Sequence, residues 1–201
     1  NREDHPNVDE IIRRYLNSLV ELRNGKITID TCNKIALLMR QLNISVSDRK
    51  VVQKALEKKE WSTTVSMALE LNDGHIATSK TSPLLSAPAA LILNALKYLA
   101  GISDHMLLLS PAIIEPISKV KIESLGNHNP RLHVDEILIA LSISARTNPL
   151  AEMAISKLNE LAHCQAHSTA ILAQVDSSIF QKLKIDLTTE PEFYAKKLYN
   201  K

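Results

Sequence analysis

Val65-Ser66-Met67-Ala68-Leu69-Glu70-Leu71-Asn72-Asp73-Gly74-His75-Ile76-Ala77-Thr78 is the stretch whose reading decides the fold. Ahead of it the apolar residues recur at helical spacing. Here the period changes to alternation, and Val65, Ala68, Leu69 and Leu71 read as a strand. Asn72-Asp73-Gly74 is a hairpin turn signal, and His75 to Thr78 read as the returning strand. The chain is therefore expected to divide here, into a helical subdomain over residues 1–60 and an α/β subdomain over residues 61–201. Trp61, at the seam, is expected to pack the junction.

Upstream of the hairpin, Ile11, Ile12, Tyr15, Leu16, Leu19 and Leu22 mark a first helix that Asn24-Gly25 closes. Ile35, Leu38, Met39 and Leu42 mark a second, with Cys32 on its apolar stripe. Ser47-Asp48 caps a third, from Val51 to Glu60. Downstream, Leu84 to Ala100 is a strongly apolar helix ended by Gly101, and Met106 to Leu109 has the look of a buried parallel strand. Pro111 to Val120 reads as a short helix or irregular crossing, limited by Pro116. Asn129-Pro130 and Asn148-Pro149 each open a helix, the first running to about Arg146 and the second covering Ala151 to Ala162. Ser168 to Ala173 reads as a strand, Val175 to Leu183 as a helix, Lys184 to Thr188 as a last strand and Phe193 to Tyr199 as a tail or final turn. This alternation predicts an α/β protein, a three-layer sandwich with helices covering a mostly parallel sheet.

With 201 residues, 45% of them hydrophobic, the chain can bury a sizeable core. Its formal charge is +2 and no Lys/Arg cluster is long enough to track a phosphate backbone. Aromatic residues make up 3%, too few for base-stacking platforms, so nucleic acid is not an expected partner. Cys32 and Cys164 are far apart and belong to no C-x-x-C pattern, which favours a reducing cytoplasm over a disulfide framework. The least polar stretch, Ser82 to Leu96, is interrupted by Pro83 and Pro88 and is too short to span a bilayer. No membrane association is expected.

Chemistry concentrates in Leu125-Gly126-Asn127-His128-Asn129-Pro130-Arg131-Leu132-His133-Val134-Asp135-Glu136, immediately ahead of the apolar run Ile137 to Ala145. Arg131 with Asn127, Asn129 and the helix amides suits a phosphate or carboxylate. His128 and His133, the latter one helical turn from Glu136, suit proton transfer. His167-Ser168-Thr169 are expected to join them, and Lys80, among the hydroxyls of Thr78 to Ser82, forms a second candidate anion site. The alternative reading is that His133 and Glu136 cap and pin a buried helix, whose apolar residues leave almost no polar side. A zinc deaminase would need H-x-E and P-C-x-x-C elements. Here His133-Val134-Asp135 is only a loose echo and there is no cysteine pair. His128, His133, Glu136, His163, Cys164 and His167 match no standard zinc spacing, so no metal is assigned, and the sequence names no cofactor.

Taken together, Glu10-Ile11-Ile12-Arg13-Arg14-Tyr15, Ser47-Asp48-Arg49-Lys50-Val51, Gly126 to His133, Glu136 to Leu141 and Ala166-His167-Ser168-Thr169 resemble the C-terminal part of a bacterial family, domain of unknown function 1846. The resemblance runs from about Glu10 to the end. It implies a helical subdomain followed by a sandwich of cytidine deaminase-like topology. It also implies a longer parent chain, whose upstream part carries a Gly-rich, P-loop-like segment. Ser79 stands where relatives have glycine, and His163-Cys164 where they lack both residues. Two functions are expected from this. One is a subdomain of a nucleotide-dependent enzyme that takes a small phosphorylated or nucleotide ligand. The other is a structural or oligomerisation module that docks on the upstream part or forms a homo-oligomer.

Overall fold

The computed structural model describes residues 6–62 and 64–193. Helix α1 (Pro6–Arg23) packs on α2 (Ile29–Leu42), and their apolar stripes close a small core around Ile12, Leu16, Met39 and Val52. Asn43 ends α2 in the left-handed conformation, φ 54°, a geometry asparagine tolerates. A 3-10 turn at Val46–Asp48 follows, closed by the Ser45 N–H donating to the Asp48 carboxylate at 2.8 Å. It leads into α3 (Lys50–Ser62).

Strands β1 (Ser66–Glu70) and β2 (Ile76–Lys80) form the expected hairpin, with Gly74 at φ 84° in its turn and the Leu71 N–H donating to the His75 carbonyl at 2.8 Å. The remaining elements are α4 (Ala87–Leu99), α5 (Pro111–Lys119), α6 (Val134–Ser144), α7 (Pro149–Ser156), β3 (Gln165–Ser168), α8 (Gln174–Lys182) and β4 (Asp186–Thr189). The sheet order is β2-β1-β3-β4.

Alternation along β1 sends its residues to two helical layers. Met67 and Leu69 join the main core with Leu91, Ile92 and Leu96 of α4, while Ala68 meets Val51 and Ala55 of α3 on the other face. Helices thus cover both sides of the sheet. Arg49 joins the layers. Its fully buried guanidinium pairs with Asp9 of α1 and donates to the carbonyls of Ala166 at 3.3 Å and Asp186 at 2.7 Å.

Several expectations are corrected. The sheet is mixed: β1 pairs antiparallel with both β2 and β3, and only β3 and β4 run parallel. Met106 to Leu109 is no strand. Leu108 and Leu109 are buried, but Met106 and Leu107 face outward in an irregular segment. The strand expected over Ser168 to Ala173 is instead β3 at Gln165–Ser168, sharing only Ser168 with the expectation, and the residues after it carry only an isolated bridge at Ile171. Helix α6 begins at Val134, with His133 as its N-cap, because Arg131 to His133 are drawn into extended pairing with Leu84 to Ser86. One side of α6 is open, with Ile139 62% and Ile143 68% exposed, so it is not wrapped all round. Trp61 is 88% exposed and packs no junction. Pro116 is accommodated within α5, which continues as a π-turn over Val120–Ser124. Of the segment expected as a tail or final turn, Phe193 bridges to Ile171 and residues 194–199 lie outside the described residues.

Candidate functional site

An isolated parallel bridge between Leu85 and Leu132 builds the site. The Leu132 N–H donates to the Leu84 carbonyl at 3.0 Å and the Ser86 N–H to the Leu132 carbonyl at 3.1 Å. This pairing sets two helix starts side by side: Ser86 caps α4, its hydroxyl accepting from the Ala89 N–H at 3.3 Å, and His133 caps α6. The first turn of α8 closes the third side. Between them lies a cavity of about 110 Å³ lined by Thr81, Ser86, Asn129, Arg131, His133 and Asp176, with Val65 and Leu172 among its apolar walls. Three helix N-termini face this space, and each carries a partial positive charge.

Asp176, buried in the first turn of α8, accepts twice from the start of α6. One carboxylate oxygen lies 2.8 Å from Nδ1 of His133 and the other takes the Val134 N–H at 2.9 Å. The hydrogen bond to Asp176 holds the His133 pKa above its ordinary value, against an opposing effect of burial. Nδ1 therefore keeps its proton, and Nε2 is the atom free to exchange one. Nε2 lies 3.5 Å from the side-chain nitrogen of Asn129, on the cavity side.

Arg131 is fixed at its base. Its Nε donates to the Ser82 carbonyl at 2.6 Å, and its backbone N–H donates to the Asn129 side-chain oxygen at 3.1 Å. Among the described residues no carboxylate pairs with its terminal amines. A partly buried guanidinium without a counterion, beside a histidine and three helix starts, suits a small anion.

Glu136 has a different employment. It accepts the His133 N–H at 2.8 Å and the Lys121 ammonium at 2.7 Å, while Lys121 also donates to the Arg131 carbonyl at 2.7 Å. This buried lysine and its carboxylate lock the Arg131 to His133 turn from behind. Asn127 and His128 are exposed on the preceding loop and do not line the cavity. Lys80 is exposed at the end of β2, also outside it.

His167, Ser168 and Thr169 are buried and engaged elsewhere. His167 lies between Thr188 at 2.9 Å and Glu190 at 3.1 Å, and burial pushes its pKa down despite the nearby carboxylate. The Ser168 hydroxyl donates to the Ala170 carbonyl at 2.7 Å, and the Thr169 hydroxyl accepts the Ser66 N–H at 3.0 Å. Asp176 and Ser86 are the lining residues that sequence reading missed, while Thr81, from the second candidate stretch Thr78 to Ser82, does line the cavity. An acidic residue in a helix's first turn was the visible signal for Asp176; its pairing with His133 was not visible. Among the described residues, no group of three or more His, Cys, Asp or Glu side chains could hold a metal ion. No helix among them is long and apolar enough to cross a membrane.

Residues 47–199 match the sequence profile of the family described as domain of unknown function DUF1846, C-terminal. The chain is 48% identical over 194 residues to the UPF0371 protein of Corynebacterium aurimucosum, covering 96% of this chain and 39% of that protein. It is 46% identical over 192 residues to the one from Corynebacterium urealyticum, with the same 96% and 39% coverage. It is 44% identical over 198 residues to that of Clostridium tetani, covering 94% and 39%. The chain thus spans about two fifths of the length of the curated relatives it matches.

Proposed function

The chain belongs to the DUF1846 family, and from that premise we propose that it contributes an anion-binding, acid–base site to a longer, nucleotide-dependent enzyme. Arg131 and the starts of α4, α6 and α8 hold a phosphate or carboxylate group. His133, oriented by Asp176, takes or gives a proton through Nε2. The observation that carries this reading is the 2.8 Å His133–Asp176 contact at the edge of a cavity that also contains Arg131. At about 110 Å³ the cavity admits the anionic end of a ligand and not a whole nucleotide. Asn129 is placed to accompany Arg131; Glu136 and Lys121 act by positioning the turn.

Calorimetric titration of inorganic phosphate into the protein tests this, with Arg131→Gln and His133→Gln as variants. Loss of binding with unchanged melting supports the reading. Binding that survives Arg131→Gln refutes it.

A second reading, a docking or oligomerisation module, is favoured by a separate observation. Ile139 and Ile143, one turn apart on α6, leave an apolar strip open to solvent. Sedimentation of Ile139→Lys/Ile143→Lys protein against the unaltered chain distinguishes a self-associating strip from an unpaired one.

A further inference from the structure

Phosphate and carboxylate both suit the charge of the His133 cavity, but its walls do not treat them alike. Val65, Ala87, Pro88, Ile171, Leu172 and Ala173 make half of the lining apolar. Much of the donor capacity of the helix starts is already taken by the chain. In α4, Pro88 has no N–H and the Ala89 N–H donates to the Ser86 hydroxyl at 3.3 Å. In α6, the Val134 N–H goes to Asp176 and the Glu136 N–H to the Asp135 carboxylate, each at 2.9 Å. The Thr81 hydroxyl donates to the Val65 carbonyl at 3.4 Å. Arg131, its Nε held by the Ser82 carbonyl at 2.6 Å, offers its two terminal amines end-on. Ser86, Asn129 and His133 Nε2 complete the side-chain donors of the lining. Asp176 adds a negative charge that repels a dianion more than a monoanion.

Resting on the reading of this cavity as an anion site, we propose that its ligand is a carboxylate with a short aliphatic group beside it, either a small acid or the acid end of a larger molecule. The two oxygens of a carboxylate match the two terminal amines of Arg131. Nothing charged is then left over, and the adjoining carbons meet Val65, Pro88, Ile171 and Leu172. A phosphate held by the same fork keeps further charged oxygens, which these walls strip of water without replacing its hydrogen bonds. Size agrees: an apolar cavity of about 150 Å³ takes the six carbons of benzene, so about 110 Å³ suits an acid of about four.

Titrating acetate, isobutyrate, isobutyramide and inorganic phosphate into the protein tests the proposal, with the His133 ring followed by NMR. Isobutyrate should bind about tenfold tighter than acetate, the effect of burying two more carbons, and phosphate should bind more weakly than isobutyrate. Isobutyramide, which has the same shape without the charge, should bind at least about tenfold more weakly than isobutyrate. Arg131→Gln should abolish binding of both acids. Leu172→Ala should cost isobutyrate about threefold and leave acetate unchanged, and Val65→Thr provides the same test should Leu172→Ala fold poorly. Phosphate binding as tightly as isobutyrate, with both lost in Arg131→Gln, overturns this proposal and leaves the anion site standing. Isobutyrate binding no tighter than acetate does the same. His133 resonances that no anion moves overturn both.

Discussion

Asp176 and His133, 43 positions apart in sequence, meet at 2.8 Å and join the first turns of two helices. The same carboxylate takes the Val134 N–H, so one buried side chain satisfies a ring nitrogen and an orphan amide of α6.

Removing that carboxylate should be costly. Asp176→Ala leaves both donors without their acceptor in a buried place and should lower stability by about 2–4 kcal/mol, measured by urea unfolding. Asp176→Asn keeps one acceptor oxygen and should cost less. Unchanged stability in both variants would mean that this carboxylate does not hold the helix starts together.

The pH dependence of this contact has a defined sign. The His133 pKa is raised in the folded protein, chiefly by the hydrogen bond to Asp176, so the folded state holds the proton more tightly than the unfolded one. The resulting stabilisation is complete below the unfolded value of about 6.5 and is lost as pH rises through the folded value. His167 acts in the opposite sense. Burial lowers its pKa, so its contribution is present above about 6.5 and declines as pH falls toward the lowered value. The two are separated by subtraction: the stability gap between the unaltered protein and Asp176→Asn should narrow as pH rises through the folded His133 value. A gap that widens instead contradicts the assignment.

Lys121 gives a third prediction. It is buried and bridges the Glu136 carboxylate and the Arg131 carbonyl, each at 2.7 Å. Lys121→Met should cost about 3 kcal/mol in urea unfolding, because Glu136 loses its ion pair in a partly buried place. It should also weaken phosphate binding at Arg131, since the turn carrying that residue is released. Full stability in Lys121→Met would show that the turn is held by its pairing with Leu84 to Ser86 alone.

Trp61 is the chain's one tryptophan and is 88% exposed. Its emission should already be that of a solvated indole in the native protein and should shift little on unfolding in urea. A marked red shift would place it in an interface or a packed site.

The hairpin was legible because Asn72-Asp73-Gly74 combines residues tolerant of left-handed backbone with alternating flanks. The helices were legible from their spacing and caps. Met106 to Leu109 was not, since four apolar residues in a row look the same whether they enter a sheet or a loop with two of them outward. The start of α6 misled for a related reason. Asn129-Pro130 has the local form of a helix opening, but the nonlocal pairing of Leu132 with Leu84 and Ser86 keeps this segment extended until His133. The Glu136 three residues later, accepting the His133 N–H, was the better local signal. Arg131 and His133 were readable as chemistry-bearing residues. Asp176 was not, because its role exists only once α8 folds against α6.

The most direct measurement follows the His133 ring nitrogens by NMR while inorganic phosphate is added to the protein. The account predicts saturable shifts at His133 Nε2, absent in Arg131→Gln, with Nδ1 remaining protonated throughout. Resonances of His133 that stay fixed as phosphate is added would contradict it.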